Sequence, residues 1–159
     1  GGKEGIGNGF YYTMAGFSGG RIQTAARATG VMQAAFEKAL SYSKERQVFG
    51  KPIGDYQLTL VKIARMAMLL AVSRQFTYHV ARLMDEGKGQ MEASLVKLYS
   101  CKSSEWLARE AMQIHGGIGL TTDLPIEKFW RQQRSYRITE GATEVMKMVI
   151  ARHVLKTYA

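Results

Sequence analysis

Proline interrupts this chain at only two places, Pro52 and Pro125, and the stretches around them carry apolar residues at helical rather than alternating spacing. Inside a helix proline removes a hydrogen bond and clashes with the preceding turn. A chain that confines it to two positions is therefore free to form long helices, and without a sustained alternating run a sheet has little to build from. Only the opening segment leaves room for a strand. Ala25, Ala28, Met32, Ala35, Phe36, Ala39 and Leu40 predict a first helix from near Gly19 to Glu45, ended by Phe49-Gly50-Lys51-Pro52. Asp55 is a candidate N-cap for a second helix reaching Asp85-Glu86-Gly87, with Leu58, Val61, Ala64, Met68 and Val72 among its apolar residues. A third helix, Met91 to His115, stops at Gly116-Gly117, where glycine readily adopts the left-handed conformation of a helix end. Pro125 opens a short fourth segment, and the last helix starts beside Gly141 and carries Val145, Met148, Val149 and Val154. The expected fold is all-α, an antiparallel four-helix bundle of long helices with a short extra helix. Residues 19–159 would form this bundle, and residues 1–18 the end of a preceding domain or a linker.

At 159 residues and 46% hydrophobic, the chain has enough apolar material for one core. Its 22 Lys+Arg against 13 Asp+Glu give a formal net charge of +9, which favours anionic partners. The basic residues are spread along the chain with no aromatic-interleaved block, so nucleic acid is a disfavoured partner. Cys101 is the single cysteine; it excludes an internal disulfide, suits a reducing compartment and reads as a buried, inert thiol. The apolar run through Ala67–Val72 is far shorter than the roughly 20 residues of a membrane span, so a soluble chain without a membrane span is expected. His79, His115 and His153 are too widely separated for a local metal motif, and no metal site is expected. Most of the methionines Met66, Met68, Met112, Met146 and Met148, with Trp106, Phe129 and Trp130, read as core packing. The glycine-rich opening resembles an interior loop.

Several residues invite a chemical reading. Glu140 stands between Thr139 and Gly141 at the start of the last helix, either as a solvated glutamate near a helix N-terminus or as a base held close to a ligand. Arg46 closes the first helix, where it can cap helix carbonyls or bond a phosphate. Gly116 and Gly117 stop a helix and also let backbone donors approach a ligand. Arg21 falls at the expected start of the first helix, where the helix dipole disfavours a cation, which invites an anionic partner.

Read in order, these motifs carry a resemblance. Phe17-Ser18-Gly19-Gly20-Arg21, Arg46-Gln47-Val48-Phe49-Gly50-Lys51-Pro52-Ile53 with Gln57, Gln113-Ile114-His115-Gly116-Gly117-Ile118-Gly119, Pro125-Ile126-Glu127-Lys128 with Arg131, and Thr139-Glu140-Gly141 resemble the signatures of the acyl-CoA dehydrogenases in their C-terminal helical domain. The resemblance implies an FAD-dependent α,β-dehydrogenation of an acyl-CoA thioester, with Glu140 as the base that removes the α-proton while hydride goes to the flavin. Because that proton is weakly acidic, a positioned base and donors aligned on the enolate oxygen are required. It further implies flavin contacts from Arg46, Val48, Phe49, Gln57, Gln113, Ile114, His115, Gly116 and Gly117, supplied across a subunit interface, and substrate contacts from Arg21 and Gly141. Val48 stands where the family often has a hydroxyl residue, and Ser18 where many relatives carry an aspartate. The implied partners are acyl-CoA, an electron-transfer flavoprotein as acceptor and further copies of the chain in a dimer of dimers. The implied location is the bacterial cytoplasm or the mitochondrial matrix. The competing expectation, a non-catalytic basic module for oligomerisation or nucleic-acid binding, leaves the order of the motifs unexplained.

Overall fold

A computed structural model describes residues 2–158. These form five α-helices: α1 (Gly9–Glu45), α2 (Gln57–Asp85), α3 (Gln90–His115), α4 (Ile126–Tyr136) and α5 (Thr143–Thr157). Between α1 and α2 the strands β1 (Gln47–Val48) and β2 (Lys51–Pro52) pair antiparallel. The strand expected in the opening segment is thus corrected: that segment is helical, and the only strands among the described residues are these. A two-residue strand is too short to leave an alternating pattern.

The third helix is the centre of the bundle and packs against each of the other four. It buries Ala93, Val96, Ser100, Ser104, Leu107, Ala108 and Ala111, facing the alanines Ala25, Ala28, Ala35 and Ala39 of α1. Small residues on both sides let the two backbones approach, close enough for Ser104 Oγ to donate to the Ala28 carbonyl at 3.2 Å. Met32, Met66, Leu70 and Ile114 fill one apolar cluster beside this contact, and Val80, Val96 and Ala93 a second. Cys101 is buried, and desolvation pushes its thiol up to about 11, which suits an inert packing residue.

Several expectations are corrected. The first helix begins at Gly9 instead of Gly19 and runs through Gly16, Gly19 and Gly20, although each glycine costs a helix interior about 1 kcal/mol. Asp55 lies in a 3-10 turn and Tyr56 occupies the N-cap of α2 without a side-chain cap bond. The apolar face expected to bury α2 points outward: Leu58 is 81% and Val61 68% exposed, while Met66, Leu70, Ser73, Thr77 and Val80 face the core. The same inversion marks α5, where Val145, Met148 and Val154 are exposed and Met146 is buried. Met68, Met148 and Trp130 are likewise exposed rather than core residues. Helical periodicity identifies a helix, but where a helix carries two apolar stripes it does not say which one meets the core.

An ion-pair group ties α2 to α3. Lys62 and Arg109 both contact the carboxylate of Glu110. Burial alone would push that carboxyl up, but the Lys62 hydrogen bond and charge, supported by Arg109, outweigh it and hold it below the usual 4.5. A carboxyl depressed in the folded state contributes stability above its unfolded pKa and loses it as pH falls through the folded value. Glu110→Gln should therefore cost about 1.5–3 kcal/mol at neutral pH. It should also flatten the fall in melting temperature below pH 4.5; equal acid slopes for the two proteins would remove Glu110 from this role.

Candidate functional site

The turn between α4 and α5 carries Glu140. The chain leaves α4 through Ile138 N–H and Thr139 N–H, both bonded to the Ser135 carbonyl, and is gathered again by Thr143 N–H donating to the Arg137 carbonyl at 3.0 Å. Between these anchors Glu140 has φ +55° and Gly141 φ +110°. A glutamate in the left-handed region is uncommon and costs about 1 kcal/mol or more, a cost that surrounding contacts must offset. At Gly141 the φ favours glycine, and a Cβ there would stand 2.5 Å from Met146 Cε, the flexible end of a side chain that would have to move.

The surrounding contacts come from α1 and α3. Arg21 Nε donates to the Glu140 carbonyl at 3.4 Å and its Nη1 to Ser94 Oγ at 3.2 Å. Lys97 Nζ donates to the Gly141 carbonyl at 2.6 Å. Two consecutive carbonyls are thus turned inward onto buried cations. The half-buried Glu140 side chain lies over α1 at Gly20, where a Cβ would come within 2.5 Å of Oε2. Its carboxylate makes no ion pair with any described residue, which leaves it available to a ligand. Arg21 sits well inside α1, not at the helix start expected from sequence, and it is buried beneath the turn. Burial lowers its pKa, opposed by the charge of Glu140.

The second predicted group gathers at the other end of α1. Arg46, Val48, Ile114, His115, Gly116 and Gly117 line one cavity of about 430 Å³. His115 is buried, 4% exposed; its ring stacks on Tyr42 with centroids 4.5 Å apart, and Nδ1 lies 2.7 Å from the Ala111 carbonyl, which makes it the donor. Gly116 ends α3 at the expected place, though with φ +62° and ψ −140° it lies outside the left-handed helical conformation expected there. The Arg46 guanidinium has no ion-pair partner among the described residues. Phe49, 93% exposed, stands at the tip of the β1–β2 hairpin with φ +50°, a conformation unusual for an aromatic residue. Tyr56 holds that hairpin: its hydroxyl donates to the Val48 carbonyl at 2.6 Å, and Lys51 Nζ lies 4.2 Å from its ring centroid. Gln113 lines a neighbouring cavity of about 570 Å³ with Ile114 and Glu110, and Gln57 is the exposed first residue of α2.

The two groups do not share one site within a single chain. Arg21 and Arg46 are 25 positions apart along α1, about 37 Å at 1.5 Å per residue. A further cavity of about 880 Å³, lined by α2, α3 and Trp130 of α4, contains none of the site residues predicted from sequence. Lys97 and Gly20 were missed by sequence reasoning. A signal for Lys97 was present, since it falls on the same inward stripe as Ala93, Ser100 and Ser104.

The structure thus defines an all-α bundle domain with a strained glutamate turn at one end of α1 and a lined cavity at the other. Residues 7–155 match the acyl-CoA dehydrogenase C-terminal domain, and the chain belongs to the acyl-CoA dehydrogenase family. It is 40% identical over 152 residues to a 3-(aryl)acrylate reductase of Clostridium sporogenes, covering 95% of this chain and 40% of that protein. It is 37% identical to a caffeyl-CoA reductase-Etf complex subunit of Acetobacterium woodii, covering 95% and 40%. Among solved structures, butyryl-CoA dehydrogenase from Megasphaera elsdenii superposes with a TM-score of 0.91 at 35% identity, covering 94% of this chain and 39% of that one. The chain thus spans about 40% of the length of the curated relatives it matches. No helix among the described residues is long and apolar enough to cross a membrane.

Proposed function

We propose that this chain carries the proton-abstracting part of an acyl-CoA dehydrogenase site, with Glu140 as the base that removes the α-proton of an acyl-CoA thioester. The observation that carries this reading is the glutamate held in a left-handed turn, with its carboxylate unpaired and laid over side-chain-free Gly20. A mere interaction module gives that strained turn nothing to do. Gly141, without a side chain, would border the thioester, and Arg21 would meet the substrate end of the site through the same turn.

The residues at the far end of α1 fit FAD. Arg46 offers an unpaired guanidinium suited to a pyrophosphate, Gly116 and Gly117 carry no side chain to block a ligand's approach, and Val48, Ile114 and the His115–Tyr42 stack supply an apolar wall. Phe49, Gln57 and Gln113 would extend the contact along the dinucleotide. When bound, FAD supplies the hydride acceptor for the β-carbon. The separation of about 37 Å along α1 argues that Arg46 and Glu140 of one copy serve different flavins, so each complete site would combine residues of two copies, as in a dimer of dimers. Segments outside this chain would supply the remaining walls, and an electron-transfer flavoprotein the acceptor, in a bacterial cytoplasm or mitochondrial matrix.

Anaerobic mixing of the whole flavin-loaded protein with a panel of acyl-CoA esters tests the assignment. At least one ester should bleach the flavin, and its identity reports the acyl group; no bleaching by any saturated or branched ester would defeat the reading. In the same protein Arg46→Ala should weaken FAD retention about 10–100-fold, read from released flavin fluorescence. Undiminished retention would remove Arg46 from the cofactor site.

A further inference from the structure

We propose that Lys97 is a positioning residue for the base: its ammonium, buried in the middle of α3, fixes the Gly141 carbonyl and thereby the direction in which the Glu140 side chain leaves its turn. The inference rests on Glu140 being the base, and deepens that reading.

Lys97 is 1% exposed, the largest fully buried side chain among the described residues. It has no carboxylate partner in ion-pair range among the described residues. Burial lowers its pKa; Cys101 and Glu140 pull it back up, while Arg21 and Arg137 push the same way as burial. A buried ammonium without a counter-ion is an expensive core residue, and an apolar side chain of similar volume commonly packs as well or better. Packing therefore does not account for a lysine here. The bond to the Gly141 carbonyl at 2.6 Å does.

The geometry shows what that bond controls. Glu140 and Gly141 both have positive φ, and their carbonyls point into the bundle, the first onto Arg21 from α1 and the second onto Lys97 from α3. Pinning both ends removes the rotation by which a strained left-handed glutamate would relax toward an ordinary conformation. The Cα–Cβ bond of Glu140 is then aimed at α1, and the carboxylate comes to rest over Gly20. Releasing the Lys97 end alone lets the turn rotate. A displacement of about 1 Å at a reacting atom costs roughly 100-fold in rate.

Lys97→Met in the whole flavin-loaded protein separates positioning from bracing. The melting temperature should hold or rise, substrate affinity should stay at the native value, and the limiting rate of flavin reduction by a saturating acyl-CoA should fall about 100-fold. Lys97→Gln, which keeps a donor on a shorter arm, should recover part of that rate. Native-rate reduction by Lys97→Met would overturn the proposal, and so would a loss confined to substrate affinity. Failure of both variants to fold would also overturn it, by making Lys97 a brace of the bundle. Glu140→Gln measured alongside tells the two readings apart: if it keeps the full rate, the base assignment itself is wrong, whereas an inactive Glu140→Gln beside a fully active Lys97→Met removes only Lys97.

Discussion

Glu140→Gln in the flavin-loaded protein should slow flavin reduction by acyl-CoA about 10²–10⁴-fold, the range that a positioned general base contributes, without loosening the fold. The reasons for the intact fold lie in which atoms the turn uses. Arg21 and Lys97 bond the carbonyls of Glu140 and Gly141 and ignore the carboxylate, so an isosteric amide leaves the clamp in place. The carboxylate itself has no ion-pair partner to lose. Stopped-flow reduction at saturating substrate, with thermal unfolding as the control, reads both halves of the expectation. A glutamine protein that bleaches its flavin at the native rate would assign proton removal to another group; one that binds FAD and substrate but does not bleach fits the proposal.

The helices were legible in the sequence because two prolines and a few glycine pairs punctuate it so sparsely. Gly116 and Pro125 mark real ends, and α3 and the start of α4 fall within a residue of expectation. The start of α1 was hidden for the opposite reason: Gly9, Gly16, Gly19 and Gly20 read as loop, whereas the helix passes through them. A Cβ at Gly16 or Gly19 would meet nothing within 4 Å, so these positions keep one face of the helix bare. Facing was less legible than existence. Leu58 and Val61 form as good a helical stripe as Met66, Leu70 and Val80, and only the bundle distinguishes them. Of the site, Glu140 and the Arg46 and Gly116 motifs could be found because they are runs of adjacent residues. Lys97 belongs to no run; its place on the stripe of Ala93, Ser100 and Ser104 hints at burial, but its partner Gly141 lies 44 positions away and only the fold brings them together. The left-handed backbone of Phe49 and Glu140 was equally invisible, since neither residue type favours it.

Gly20→Ala should move stability and activity in opposite directions. As an interior position of α1, Gly20 costs the helix about 1 kcal/mol relative to alanine, so the substitution by itself favours folding. The new methyl carbon, however, would stand 2.5 Å from Glu140 Oε2 and 2.8 Å from Cδ, distances that atoms do not tolerate. The obstructing atoms are the far end of a flexible side chain, so the carboxylate gives way and the helix does not. A base displaced by about 1 Å loses roughly 100-fold in rate, while melting temperature should be held or raised. Gly30→Ala is the matched control: it lies ten positions further along the same helix with nothing within 4 Å, and should bring the same gain in helix propensity with native-rate flavin reduction. If both alanine proteins reduce flavin at the native rate, the carboxylate is not committed to the place above Gly20. If Gly30→Ala also loses rate, α1 transmits strain along its length and the steric argument fails. The expected pattern, slow Gly20→Ala beside fast Gly30→Ala with both at least as stable as the native protein, would mean that the missing side chain at Gly20 is there to make room for the base.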